Sequence, residues 1–304
     1  MPASPDHRTG LLLLLAATMA WSTAGLFARA IPLDTPTVIL WRGMFGAAGL
    51  IGLLLVLKGA RGLADFGRLG RAGLLYALAS GLGMLTFVGA LKATTIAHVA
   101  IIYATIPFAA AALGWLVLRE RPSRAALITS TVALVGAATM VGLGGEGHLT
   151  GDLLAVAMVI CMAAMMVIAR ARPQLPTLAA GALSSLWAPL ACLPFATMAG
   201  ITPGNVALMA GFGLINTSLG FGLFIAGSRH LPAVTTALVG ALETPLTPLW
   251  VWLVFGETPS PPTMAGGAVV FAAVLWFIRQ ETGQTRPVDA PDVSAAPFTR
   301  KDPT

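Results

Sequence analysis

The chain has 304 residues, of which 57% are hydrophobic and 10% are charged, and its mean hydropathy is +0.84. Soluble globular chains carry roughly 25% charged residues, so this composition excludes a water-soluble globule, a disordered chain and a disulfide-rich domain. The net charge of +6 rests on only 18 Lys and Arg, which are too thinly spread to indicate a nucleic-acid-binding surface.

A helix needs about 20 mostly apolar residues to cross a bilayer core. Ten windows of this kind are bounded by charged residues, prolines or glycines: 10–29, 35–57, 72–91, 95–118, 124–143, 151–170, 177–199, 204–227, 232–255 and 261–279. The first window continues past Trp21 to Ala28, which is too long for a cleaved signal peptide. The sequence therefore predicts an all-α integral membrane protein with ten transmembrane helices.

The loops between the windows carry their basic residues on alternating sides. With the amino terminus inside, the inner side holds fifteen of the 18 Lys and Arg, the outer side holds Arg29 and Lys92, and Arg42 lies within the second window. Because cytoplasmic loops are enriched in Lys and Arg, both termini are predicted to be cytoplasmic. Residues 1–9 form a short cytoplasmic segment, and the polar, proline-rich residues 280–304 are predicted to be a disordered cytoplasmic tail.

An internal repeat relates the two halves of the chain. A shift of 137 residues aligns charged, tryptophan and proline positions, and a shift of 141 aligns residues 28–30 with 169–171. The pairs at 137 are Lys92 with Arg229, Trp115 with Trp252, Glu120 with Glu257, Pro122 with Pro259, Gly83 with Gly220 and Phe87 with Phe224. Each half, 10–143 and 144–279, contains five windows, so the halves must have opposite orientations. Inverted repeats are typical of secondary transporters.

The motif Trp115-(x)4-Glu120-Arg-Pro122 after the fourth window recurs as Trp252-(x)4-Glu257-Thr-Pro259 after the ninth. This ten-span arrangement resembles the EamA-type members of the drug/metabolite transporter superfamily, and most of all the bacterial exporters of aromatic amino acids. The resemblance implies two inverted five-helix repeats around a central cavity, a location in the bacterial inner membrane and no cofactor. Pro245 lies opposite Phe108 rather than Pro107, so the kinks of the two halves are expected to differ.

One face of the third window carries its polar and aromatic residues, and this face is predicted to point inward because polar groups facing lipid are costly. The residues recur at helical spacing, as do their repeat partners in the eighth window. They are Tyr76, Ser80, Gly83 and Phe87, with the partners Gly213, Thr217, Gly220 and Phe224, and Asn216 beside them.

Glu243 lies about 12 residues from either end of the ninth window, near the bilayer midplane. It shares a helical face with Gly240, which the repeat aligns with Tyr103, so Tyr103 is also predicted to face the centre. A carboxylate at this depth is costly and is usually functional or partnered. Three roles remain open for Glu243: a proton-coupling site, a counter-charge for a substrate ammonium, or a structural acid beside the kinks at Pro245 and Pro248.

The remaining candidates each have two interpretations. A methionine stripe in the sixth window is either a lining for bulky apolar ligands or plain packing; within it, Met162 and Met165 are assigned to the site. Trp187 is either a site residue or an interface anchor. Trp21 is a further candidate, because it is the repeat partner of Met162. Arg42 and His98 are candidate coupling or charge sites, and the alternative for Arg42 is that its side chain snorkels to the outer interface. Lys92 and Arg229 are either gate turns or cations at helix ends.

The chain lacks the motifs of a membrane enzyme or an ATP-driven pump. Its four histidines are isolated, and none of its lysines follows the glycine that a P-loop requires. The predicted function is export of small amphipathic metabolites, chiefly aromatic or bulky neutral amino acids, by alternating access. The scarcity of intramembrane cations disfavours phosphorylated sugars and nucleotide sugars, which remain the alternative, followed by a membrane-embedded enzyme. One chain is sufficient for a pathway; the oligomeric state stays open, and no metal or nucleic acid is expected.

Overall fold

The computed structural model describes residues 5–94, 96–141, 148–256 and 258–283, which form helices and no strands. In the first half the helices are α1 Pro5–Ser22, α2 Ala24–Ala30, α3 Thr35–Lys58, α4 Ala64–Gly67, α5 Gly70–Ala93, α6 Ile96–Tyr103, α7 Ile106–Leu118 and α8 Arg124–Val141. A 3₁₀ turn, Gly59–Leu63, separates α3 from α4.

In the second half the helices are α9 Leu149–Ala171, α10 Thr177–Leu190, α11 Pro203–Phe212, α12 Gly222–Ser228, α13 Ala233–Gly240, α14 Glu243–Phe255 and α15 Pro261–Gly283. A π-helical segment, Gly213–Phe221, joins α11 to α12, and a 3₁₀ turn, Leu193–Phe195, follows α10.

Within the described ranges, nine helical segments are long and apolar enough to cross a membrane. The fifth predicted window is an apolar but shorter helix, Arg124–Met140. The seventh window was predicted to reach residue 199, whereas α10 ends at Leu190 because Pro189 and Pro194 remove backbone donors there. The last helix extends to Gly283, and the predicted tail from residue 284 onward lies outside the described residues.

The start of α3 shows how capping sets a helix boundary. Asp34 accepts hydrogen bonds from the Thr37 amide at 3.0 Å and its hydroxyl at 2.8 Å, and Pro36 occupies the first turn. Slight burial raises the pKa of Asp34, but these hydrogen bonds outweigh it and hold the pKa below its ordinary value. The Thr37 hydroxyl also accepts a hydrogen bond from the Thr197 amide at 2.8 Å, which ties α3 to the segment after α10.

Helices pack chiefly against helices of the other half. The long helix α5 packs on α9, α3 on α10, and α8 on α15. The contact between α9 and α5 has an equivalent under the repeat, because α1 packs in the same way against the π segment and α12. The largest buried core lies at the junction and includes Leu14, Tyr76, Met166, Phe224 and Leu231. The two halves therefore share one core.

Candidate functional site

Two interrupted helices meet near the centre of the protein. The α6–α7 pair is broken at Ala104 and Thr105, and the α13–α14 pair at Ala241 and Leu242. A shift of 137 residues carries α6 onto α13 and α7 onto α14 with no offset at either end. Helix α7 also contacts α13. The repeat read from the sequence thus extends to the backbone of these helices.

The two breaks match in position although the prolines beside them are displaced by one residue, and the expected difference in kink geometry stays a prediction. Pro107 is the second residue of α7, whereas Pro245 is the third residue of α14. Amides in the first helical turn have no intrahelical acceptor, so a proline costs little at either position. Moving the proline by one residue therefore leaves the break where it is.

The breaks place a phenol against a carboxylate. Tyr103 is the last residue of α6 and Glu243 the first of α14, and the Tyr103 hydroxyl lies 3.4 Å from Glu243 Oε2. The start of a helix favours negative charge, because its free N–H groups and dipole point toward it. Glu243 is thus held by a helix start from its own half and by a hydroxyl from the other half.

A cavity of about 240 Å³ lies between the halves and beside this pair. Its walls combine aromatic rings, methionines and small or polar residues. The lining residues are Trp21, Ala24, Arg42, Ser80, Gly81, Gly83, Met84, Phe87, Tyr103, Met158, Met162, Met165, Ser184, Ser185, Asn216, Thr217, Phe221 and Glu243. Arg42 and Glu243 are the charged members of this lining.

The structure brings most of the candidate residues from the sequence together around this cavity. They are Trp21, Arg42, Gly83, Phe87, Tyr103, Met162, Met165, Asn216, Thr217 and Glu243. Their roles in substrate binding stay predictions. Met158, which belongs to the same methionine stripe, lines the cavity as well.

Four of the candidate substrate-binding residues lie elsewhere. Tyr76 is fully buried against Phe221, and Phe224 and Gly240 border a separate space of about 30 Å³. Trp187 lies over Gly81, where a side chain would collide with the indole, and its Nε1 donates to the Ala77 carbonyl at 3.1 Å. Trp187 thus fixes α10 against α5 from behind the lining.

The repeat explains why Phe87 lines the cavity and its partner Phe224 does not. Opposed halves place equivalent residues at mirrored depths, so only pairs near the middle stay side by side. Ser80 and Thr217 form one such central pair. Phe87 lies toward the cavity end, whereas Phe224 packs 4.8 Å from the Trp21 ring in the closed core.

Sequence reasoning missed Met84 and Phe221, although a signal for them existed. They are partners at the same shift of 137 residues, next to the glycines Gly83 and Gly220 that were identified. Both line the cavity. Extending the alignment by one residue would have found them.

Asn216 and Trp21 fasten the first helix to the π segment. The Asn216 amide nitrogen donates to the carbonyls of Ala20 at 3.1 Å and Trp21 at 3.0 Å, and the Trp21 indole donates to the Asn216 carbonyl at 3.0 Å. The Ala20 and Trp21 carbonyls lie at the end of α1. Both amide protons of Asn216 are therefore used within the protein.

Arg42 borders the cavity and does not extend to the helix end. Its guanidinium carbon lies 4.8 Å from the centre of the Phe212 ring, and Nη2 lies 3.7 Å from the Met84 sulfur. Its Nε is buried without a hydrogen-bond partner. The snorkelling alternative is therefore wrong for this side chain.

A cluster of polar contacts surrounds Arg170 and Arg229, and one of them, the Glu120–Arg170 ion pair, joins the two halves. Arg170 Nε lies 3.1 Å from Glu120 Oε1, and Arg170 Nη1 donates to the Arg229 carbonyl at 3.4 Å. Arg229 Nη2 donates to the Leu175 carbonyl at 2.9 Å and to the Thr177 hydroxyl. Partial burial lowers the pKa of Arg229. The side chains of Lys92 and His98 lie outside the part of the chain that the structure describes.

The chain matches known proteins over nearly its whole length. The model of the EamA-like transporter family matches residues 8–142 and again residues 149–279. This chain belongs to the EamA-like transporter family. It is therefore a multi-pass membrane transporter of the drug/metabolite type. The EamA-like fold is seen again in a solved crystal structure, 16% identical, that superposes with a TM-score of 0.78 over 90% of this chain and 99% of that one. A search of the curated proteins finds no significant match.

Proposed function

We propose that this EamA-like protein exports aromatic or other bulky neutral amino acids across the bacterial inner membrane, with both termini cytoplasmic. The observation that carries the proposal is the cavity between the halves, where aromatic rings and flexible thioethers surround a few polar groups. Such a surface accommodates apolar side chains of several shapes. Phosphorylated sugars and nucleotide sugars fit less well, because Arg42 is the cation of this lining.

Transport proceeds by alternating access. The described state is closed by the core of Tyr76, Phe224 and Leu231 and by the Glu120–Arg170 ion pair. The repeat supplies the second state, in which the halves exchange conformations and Phe224 takes the place of Phe87 at the cavity. Lys92 is the repeat counterpart of Arg229 and closes the opposite end in that state.

Glu243 binds either a proton or the cationic group of the substrate. One carboxylate cannot hold both, so the two compete, and a proton gradient can drive export without nucleotide hydrolysis. Tyr103 and the start of α14 hold the carboxylate in place. No enzymatic step is part of this proposal.

The test uses purified protein in liposomes. Counterflow of labelled L-phenylalanine into vesicles preloaded with unlabelled amino acid should exceed that into protein-free vesicles. Unlabelled Trp, Tyr and Met should compete, whereas glucose 6-phosphate should not. The absence of counterflow for every amino acid tested, together with counterflow of labelled glucose 6-phosphate, would overturn the amino-acid assignment in favour of the alternative.

A further inference from the structure

Arg42 has an unusual set of partners for a cation inside a membrane protein. Its contacts are the face of the Phe212 ring and the sulfur of Met84, both weak partners for a guanidinium. No acidic side chain lies within ion-pair distance of it among the described residues. Buried donors normally have acceptors, so the partnerless Nε needs an explanation.

Nε has no hydrogen-bond partner among the described residues, Nη2 contacts the Met84 sulfur, and these two nitrogens form one edge of the guanidinium. Nε and Nη2 lie side by side, and this edge can donate two parallel hydrogen bonds to the two oxygens of a carboxylate. Arg42 lines the cavity, but its Nε is buried, so a solute bound there can present a carboxylate to this edge once the guanidinium turns away from Phe212 and Met84. A monoanion would then complete the hydrogen bonding that the protein leaves open.

Glu243 is the opposite charge in the same cavity, and it belongs to a different wall. Its contact is Tyr103 on α6, whereas Arg42 contacts Met84 on α5 and Phe212 on α11. A lining with one cation and one acid is neutral when both are charged. A solute that is neutral overall but carries both charges suits such a lining better than an amine, a simple acid or a dianionic phosphate.

We propose that Arg42 is the residue that binds the carboxylate of the substrate and thereby selects zwitterions over amines of the same shape. This inference rests on the proposed function. It adds the group that recognises the carboxylate, and with it the orientation in which the substrate's anionic end lies at Phe212 and Met84.

The experiment measures charge selectivity by counterflow of labelled L-phenylalanine, with unlabelled L-phenylalanine or L-phenylalaninamide as competitor at equal pH on both sides. The amide keeps the ring and the amino group but lacks the carboxylate. In the wild-type protein, L-phenylalanine should compete more strongly than the amide. Arg42→Gln should reduce this preference about tenfold or more, the value of a charge-assisted pair of hydrogen bonds.

Two further variants make the result specific. Arg71→Gln removes an exposed arginine at the start of α5 and should leave the preference unchanged. Arg42→Lys keeps the charge but cannot donate two parallel hydrogen bonds. It should therefore keep the preference for L-phenylalanine over the amide, with weaker competition by L-phenylalanine and a smaller shift in melting temperature than in the wild-type protein. The shift in melting temperature on adding each compound measures binding separately from transport.

The outcomes separate the two proposals. If the wild-type protein neither transports nor binds L-phenylalanine, the proposed function fails and this inference fails with it. If the wild-type protein transports L-phenylalanine and Arg42→Gln keeps the full preference, only the inference is overturned. Should Arg42→Gln lack a melting transition, Arg42→Lys decides, and an unchanged response to L-phenylalanine in that variant contradicts the role assigned to Arg42.

Discussion

The Tyr103 hydroxyl lies 3.4 Å from Glu243 Oε2, and the two residues belong to equivalent broken helices of opposite halves. Tyr103 ends the first segment of one helix, and Glu243 begins the second segment of the other. The contact thus joins the halves at the level of both breaks. Any motion that separates α6 from α14 must change the surroundings of the carboxylate.

Glu243→Gln should uncouple transport from protons. The amide keeps the shape of the side chain but cannot gain or lose a proton, so an imposed pH gradient should no longer drive accumulation of labelled amino acid in proteoliposomes. Exchange at equal pH should persist. Tyr103→Phe is the control, because it removes the hydrogen bond and keeps the carboxylate, so its pH dependence should remain. Wild-type rates with wild-type pH dependence in Glu243→Gln would rule out proton coupling at this residue.

Glu120→Gln should open the closed end of the protein more often. It removes the ion pair with Arg170. The Glu120 side chain is 37% exposed and the Arg170 side chain 32% exposed, so the free energy of unfolding should change by about 1 kcal/mol or less. The shift between states is measured with Phe224→Cys in a background lacking Cys161 and Cys192, using a charged maleimide. Labelling should become severalfold faster, because Phe224 is buried in the described state and is expected to reach the cavity when this end opens.

Asp65→Asn is the matched control for this measurement. It removes the ion pair between Asp65 and Lys58, which lies at 2.6 Å within the first half and does not cross to the second. Labelling of Phe224→Cys should not change in this background. Equal acceleration by both variants would show that the effect is general loosening and that Glu120–Arg170 is not a lock.

Asn216→Leu should destabilise the protein through α1. The substitution removes the Asn216 donor from the Trp21 carbonyl, whereas the Ala20 carbonyl keeps its hydrogen bonds from the Thr23 hydroxyl and amide. A buried carbonyl left without a donor costs about 1–3 kcal/mol. The melting temperature of the purified protein should fall, with the largest rise in hydrogen exchange near the end of α1. Thr217→Val, the next residue along the cavity wall, should have a smaller effect. A melting temperature unchanged by Asn216→Leu would mean that these bonds are replaced by water.

The sequence was a good guide to depth and periodicity and a poor guide to which end of the cavity is open. Charges inside the windows identified Arg42 and Glu243, and helical spacing identified the inward face of α5, because both patterns follow from the cost of polar groups in lipid. Spacing alone could not separate Phe87 from Phe224. They are equivalent in the repeat, and in the proposed alternating-access cycle the conformational state decides which one meets the cavity.

The hydrogen-bond partners of the polar side chains could not be predicted from the sequence either. Asn216 was assigned to the substrate, yet both of its amide protons bind carbonyls of α1 that lie 195 and 196 residues away in the chain. Trp187 likewise turns its indole to Ala77. Such bonds depend on how helices of opposite halves are packed together, and no local pattern records them.

Met162→Ala should change which side chains the cavity accepts. Met162 borders both the main cavity and the smaller space of about 30 Å³ beside Gly240, so its truncation joins the two. Competition by Trp against labelled L-phenylalanine should strengthen severalfold, since the enlarged space admits a wider ring. The loss of packing should cost about 2 kcal/mol of stability or more. Met264→Ala truncates an exposed methionine on α15 and should leave the order of competitors unchanged. If Met162→Ala shows the same order as Met264→Ala, Met162 does not shape the substrate site.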